Sequence, residues 1–95
     1  MSTISTFILQ YEYVPDILEK RPPYREGHLG LANDKVKSGM CVAGGPFNPP
    51  TGAIFIFKCN DRQEVEDFVK ADPYVSAGLV PSYTINELTV GVGKL

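Results

Sequence analysis

An α+β domain of ferredoxin-like βαββαβ order is what this chain predicts, and three observations carry that prediction. Strand-like and helix-like stretches alternate in the order strand, helix, strand, strand, helix, strand. Turn-forming residues separate them at Arg21-Pro22-Pro23, Gly44-Gly45-Pro46, Asn48-Pro49-Pro50 and Asp72-Pro73. The length, 95 residues, suits one small domain spanning 1–95. Four antiparallel strands then form the sheet, with both helices on one face.

The elements follow in chain order. Thr6-Phe7-Ile8-Leu9-Gln10-Tyr11-Glu12-Tyr13 is rich in aromatic and β-branched side chains and ends at Val14-Pro15, as a first strand should. Its alternation places Phe7, Leu9, Tyr11 and Tyr13 on one face. Pro15 to Lys20 has room for a short helical turn, which Pro22 and Pro23 should interrupt by forcing the residue before each out of the helical region. A new helix starts there and runs to about Ser38. Leu29, Ala32 and Val36 form its core-facing stripe, and Gly39 supplies the left-handed cap.

Met40 to Phe47 is a short second strand closed by a Gly-Gly-Pro turn that is not a nucleotide-binding fingerprint. Ala53 to Cys59 is apolar on both faces and reads as a central strand. Asn60 or Asp61 caps the next helix, and Asp61 with Glu64 has capping-box spacing. The last strand, from about Ser82 to Val90, alternates until Leu88 and Val90, where a change of phase suggests a bulge or bend. Gly91 to Leu95 is a tail.

Composition narrows function by exclusion. With 43% hydrophobic and 21% charged residues the chain is that of an ordinary globular protein. A formal charge of −2 offers no general attraction to nucleic acid or anionic lipid. Phe55 and Phe57 with Tyr11 and Tyr13 could stack RNA bases, but the acidic balance and the lack of a basic, glycine-rich third strand argue against that. Met1-Ser2-Thr3-Ile4-Ser5 lacks the pattern of a secretory signal and no run approaches a membrane span, so a cytoplasmic protein is expected. Cys41 and Cys59 each sit in a β-like stretch, far from any metal-ligand spacing; they read as buried free thiols, with neither metal nor cofactor implied.

Two residues stand out chemically. Val65, Phe68 and Val69 begin a helical stripe whose next position is Asp72, a carboxylate on the core-facing side. An Asp before Pro is also a good N-cap, and one oxygen can cap while the other faces a cavity. His28, the only histidine, lies at the edge of the Leu29/Ala32/Val36 stripe, where it is either a half-buried helix residue or the one side chain able to exchange protons near neutral pH. In a βαββαβ domain both helices lie on the same side of the sheet, so His28 and Asp72 can meet. Tyr74, Arg25 and Tyr24 are candidates for orienting an anionic or enolic substrate. The sheet face left uncovered by two helices would carry one apolar row of strand three, which predicts a homodimer with open faces together.

These residues carry a resemblance. The aromatic first strand, Arg21, His28-Leu29, Ala43-Gly44-Gly45-Pro46, and above all Ala71-Asp72-Pro73-Tyr74 followed by Ala77-Gly78-Leu79 make the chain similar to the YCII-related (YciI-like) family over nearly its whole length. The resemblance implies a dimeric α+β barrel and an active-site His and Asp at His28 and Asp72. The Arg21-Pro22-Pro23-Tyr24 lead-in and the proline-rich loop Phe47 to Thr51 depart from many members. The function implied is a small cofactor-independent enzyme that moves protons on a small organic substrate, isomerase-like or lyase-like. The alternative is a non-catalytic homodimeric module that binds a small ligand or a protein.

Overall fold

The computed structural model describes residues 4–95, so the opening Met1-Ser2-Thr3 of the stretch read for a secretory signal lies outside the described residues. Strand β1 (Ser5–Glu12) is followed by helices α1 (Ile17–Lys20) and α2 (Pro22–Lys37). Strands β2 (Cys41–Pro46) and β3 (Gly52–Cys59) come next, then helices α3 (Arg62–Ala71) and α4 (Pro73–Ser76), and strand β4 (Ser82–Leu88) closes the order. One antiparallel sheet results, in the order β2-β3-β1-β4. This is the ferredoxin-like α+β architecture expected from the sequence. Among the described residues no helix is long and apolar enough to cross a membrane.

The alternation in β1 decides where the core sits. Phe7, Leu9 and Tyr11 are buried on the helix-covered side and pair with Phe57, Phe55 and Ala53 of β3, also buried. Val65, Phe68 and Val69 of α3 close over them, and Ile85 of β4 completes the layer. On the other face Ile8, Ile54 and Ile56 are only half-buried, in a row where Ile8 pairs with Ile56 and Gln10 with Ile54. Both cysteines are buried and free.

Local signals behave as their chemistry dictates. Asp61 accepts from the Glu64 backbone N–H at 3.2 Å while the Glu64 carboxylate accepts from Asp61 N–H at 3.4 Å, a complete capping box. Gly39 ends α2 at φ +84°, where a side chain would be strained.

Three expectations are corrected. Arg21 does not leave the helical region before Pro22: at φ −71° and ψ −26° it continues the turn, its N–H donating to the Ile17 carbonyl at 2.9 Å. Buried Ile17 anchors α1, and that anchoring outweighs the steric preference of the residue before proline. β4 carries no bulge; it pairs regularly with β1 from Glu12↔Ser82 to Thr6↔Leu88, and the apolar Leu88 simply continues the row of Thr84 and Asn86 on the open face. The irregularity lies in β2, between Cys41 and Ala43.

The third correction positions the site. Leu29 and Val36 of α2 are not core residues; both are exposed, and His28 is the only buried residue of that helix. The reason is the strand beneath. β2 presents Gly44 opposite Phe55, so at that position no side chain rises to meet the helix. A cavity of ≈ 180 Å³ takes that place, bounded by Leu29, Ala32 and Val36 above and by Gly44, Gly45 and Phe55 below.

Candidate functional site

The end of α3 determines the centre of the site. Asp72 closes that helix, its N–H donating to the Val69 carbonyl at 3.2 Å, and opens α4 in the extended geometry that a residue before proline favours. Its Oδ1 accepts the Tyr74 backbone N–H at 3.0 Å, which is the capping bond. The side chain itself is fully buried, at 0% exposure. A buried carboxylate needs donors all round it, and the fold supplies them.

Two come from distant elements. The Tyr11 hydroxyl in β1 donates to Oδ2 at 2.7 Å, and the His28 Nδ1 in α2 lies 2.9 Å from both Oδ1 and Oδ2. Facing a carboxylate, Nδ1 is the protonated ring nitrogen, and the lone pair or second proton belongs to Nε2. The imidazole is packed by two rings, stacked on Tyr74 at 4.0 Å and 7° and in a T-shaped contact with Phe55 at 5.8 Å. Nε2 has no protein partner, and no buried side-chain nitrogen or oxygen among the described residues lacks one. It therefore opens toward accessible space, and His28 lines the ≈ 180 Å³ cavity.

The electrostatics keep the surrounding phenols neutral. Burial, then the Asp72 carboxylate and its hydrogen bond, push the Tyr11 hydroxyl far above its ordinary range, so it remains a donor. Burial raises Tyr74 as well, against the opposing pull of Arg21 and Arg25. The Cys41 thiol on the cavity wall is likewise pushed up by burial and stays protonated. Among the described residues no three of His, Cys, Asp and Glu gather as metal ligands would.

The fold thus brings three of the five candidate residues into one cluster. His28 and Asp72 are in contact, and Tyr74 supplies the capping N–H through its backbone and a stacking surface through its ring. Tyr74 packs against the far side of the imidazole and does not line the cavity. Tyr24 and Arg25 are exposed on α2 and do not line it either. Sequence reasoning gives Tyr11 and Phe55 no place in this site, only positions in the strands and a disfavoured base-stacking role. For Tyr11 a signal existed: a phenol in the buried row of a central strand must find a hydrogen-bond acceptor.

Comparison with known proteins follows from this geometry. The chain matches the YCII-related domain over residues 6–89. No curated protein matches it. Among solved structures it is similar to 5-chloro-2-hydroxyhydroquinone dehydrochlorinase (TftG) from Burkholderia phenoliruptrix AC1100, determined with 2,5-dihydroxybenzoquinone. The TM-score is 0.79 at 23% identity, covering 90% of this chain and 95% of that one. It is also similar to an antibiotic biosynthesis monooxygenase, with TM-score 0.57 at 18% identity and 93% and 98% coverage. A conserved protein from Methanosarcina mazei Go1 gives TM-score 0.55 at 14% identity, with 90% of each chain covered. At these identities the solved structures speak for the fold, while the domain match, over most of the length, places this chain in the YCII-related domain family.

Proposed function

We propose that this chain is a small cofactor-independent enzyme that transfers a proton on a single-ring organic substrate, with His28 as general base and Asp72 as its partner. The carrying observation is the His28 Nδ1 held 2.9 Å from both Asp72 oxygens, which leaves Nε2 as the free ring nitrogen of a residue that lines the cavity. A base needs one nitrogen free and a defined tautomer, and the carboxylate supplies the second requirement. Nε2 takes a proton from the substrate, and the electron pair of the broken bond forms a carbonyl or carbon–carbon double bond. In an isomerase-like course the proton returns at another atom; in a lyase-like course a leaving group such as halide departs with its electron pair. Asp72 stabilises the imidazolium in between.

Cavity size supports the ring. A closed apolar cavity of about 150 Å³ accepts benzene, and this one measures ≈ 180 Å³. The dehydrochlorinase bound to a dihydroxybenzoquinone favours oxygenated, halogenated rings over lactones. The exposed Arg25 and Tyr24 remain candidates for drawing in an anionic substrate from outside the cavity.

The same reading takes the protein as a cytoplasmic homodimer whose open sheet faces meet through Ile8, Ile54 and Ile56. Sedimentation at micromolar concentration tests this. A dimer that Ile56→Asp converts to monomer is expected, because an unpaired charge would enter a dry interface; a wild-type monomer would sink the assembly.

The functional test is turnover of chlorinated hydroquinones and small enols by wild type, His28→Ala and Asp72→Asn. His28→Ala should be inactive. Asp72→Asn should lose on the order of 10⁴-fold, since an amide in place of the carboxylate can turn the ring to the wrong tautomer. Nitrogen NMR of His28 reads that tautomer directly. A ligand that binds without turnover leaves the non-catalytic module, and activity that survives His28→Ala removes the general base.

A further inference from the structure

Tyr13 lies one residue beyond β1, in the row of Phe7, Leu9 and Tyr11, and its position differs from theirs in three ways. Its backbone N–H is tied to the Thr51 carbonyl at 2.9 Å, so the residue is fixed against the proline-rich loop. Its ring meets those of Tyr11 at 6.2 Å and Tyr74 at 6.1 Å, the two tyrosines that support Asp72 and His28. Its hydroxyl, unlike that of Tyr11, has no hydrogen-bond partner among the described residues, and no buried oxygen there is left unpaired; it therefore faces open space.

Tyr13 lines the ≈ 180 Å³ cavity of His28, and it also lines a wider one of ≈ 530 Å³ formed by the β1–α1 connection and the Pro49-Pro50-Thr51 loop. It is the one residue common to both linings. A phenol with a free O–H on the wall of an apolar cavity beside a general base is placed to donate to an oxygen of whatever the base acts on. Burial also holds that phenol above its ordinary range, against the pull of Arg21, so it is a donor at neutral pH.

Resting on the proton-transfer reading above, we infer that Tyr13 is a substrate-contacting residue. Its hydroxyl donates a hydrogen bond to a ring oxygen of the bound molecule, and its ring divides the His28 cavity from the outer one. The ligand class that follows is a single oxygenated six-membered ring, with fused bicyclic rings excluded. As proton removal moves negative charge onto that oxygen, the hydrogen bond strengthens, and Tyr13 becomes the electrostatic counterpart of His28 across the substrate.

Binding of 2,5-dihydroxybenzoquinone, followed by calorimetry, tests this with wild type, Tyr13→Phe, Tyr13→Ala, Tyr11→Phe and His28→Ala. Tyr13→Phe should bind about tenfold or more weakly, the effect of losing one hydrogen bond to a charged or partly charged oxygen. Its melting temperature should match wild type, because the hydroxyl holds nothing in the protein; Tyr11→Phe, which removes one donor from the buried Asp72 carboxylate, should melt lower. Tyr13→Ala should gain binding of a hydroxylated naphthoquinone that wild type rejects. Wild-type affinity in Tyr13→Phe alongside impaired His28→Ala would overturn the role of Tyr13 and leave the site standing. Destabilisation of Tyr13→Phe equal to that of Tyr11→Phe would overturn it too, by revealing an internal partner. A wild-type protein that does not bind the quinone would overturn both this inference and the ring-substrate reading beneath it.

Discussion

Helices α2 and α3 cover the same face of one sheet, but α3 seals its half and α2 leaves its half open. The difference comes less from the helices than from the strands they meet. Helix α3 packs over β1 and β3, which raise Phe and Leu side chains toward it, and it buries Val65, Phe68 and Val69. Helix α2 lies against β2, where Gly44 raises nothing, and it buries His28 alone. Thus α3 with its capping box is scaffold that positions Asp72, while α2 suspends a histidine over a gap. The proposed proton-transfer site needs one rigid half and one accessible half, and this small sheet provides both.

The widest separation between the two halves should appear in core truncation. Phe68→Ala empties a fully packed position and should cost about 3–5 kcal/mol in urea denaturation. A loss below about 1 kcal/mol would mean that the α3 half is as loosely filled as the other.

Next in size is Gly44→Ala. A Cβ at Gly44 would collide with the Phe55 ring, which itself bears on the His28 imidazole. Overpacking of this kind costs about 1–3 kcal/mol, and here it should also shift the His28 ring resonances. A variant with unchanged stability and unchanged His28 signals would show that β2 does not set the position of the imidazole.

The pH dependence of stability tests the sealed half at Cys59. Burial first, and then the Glu64 carboxylate, push that thiol from the ordinary 9.0 up to about 11. The unfolded chain releases the proton near 9, while the folded protein holds it to about 11. The contribution is therefore complete below pH 9 and lost as pH rises toward 11. Denaturation midpoints should fall across that window, and more shallowly in Cys59→Ala; parallel slopes would remove Cys59 as a source.

The smallest effect on stability is expected at Leu29. Exposed on α2, Leu29→Ala should stay within about 0.5 kcal/mol of wild type while altering affinity for a ring ligand, because the side chain lines the cavity. A larger loss of stability with no change in binding would assign Leu29 to the core after all.

Much of the scaffold is written locally. The alternation of Phe7, Leu9 and Tyr11, the Asp61/Glu64 capping box, Gly39 after α2 and Asp72 before Pro73 each act within a few residues, so spacing alone is enough to read them. Where local rules misled, a longer-range term had outweighed them. Arg21 stays helical because Ile17 is anchored in the core. The Leu29/Ala32/Val36 stripe is apolar as read, but a stripe says only that a helix has an apolar face, not whether a side chain waits opposite.

The site divides along the same line. Local spacing is enough to place a carboxylate at the cap of α4, on the core-facing side of α3, and one histidine at the edge of α2. That the two meet, across 44 positions of chain, and that Tyr11, 61 positions from Asp72, donates the remaining bond, follows from how the elements pack. Packing also opens a cavity lined by Gly44, Gly45 and Phe55 beside His28. Hydrogen bonds across such separations, and space left empty, depend on how elements pack against one another, and packing has no period that a single segment can carry.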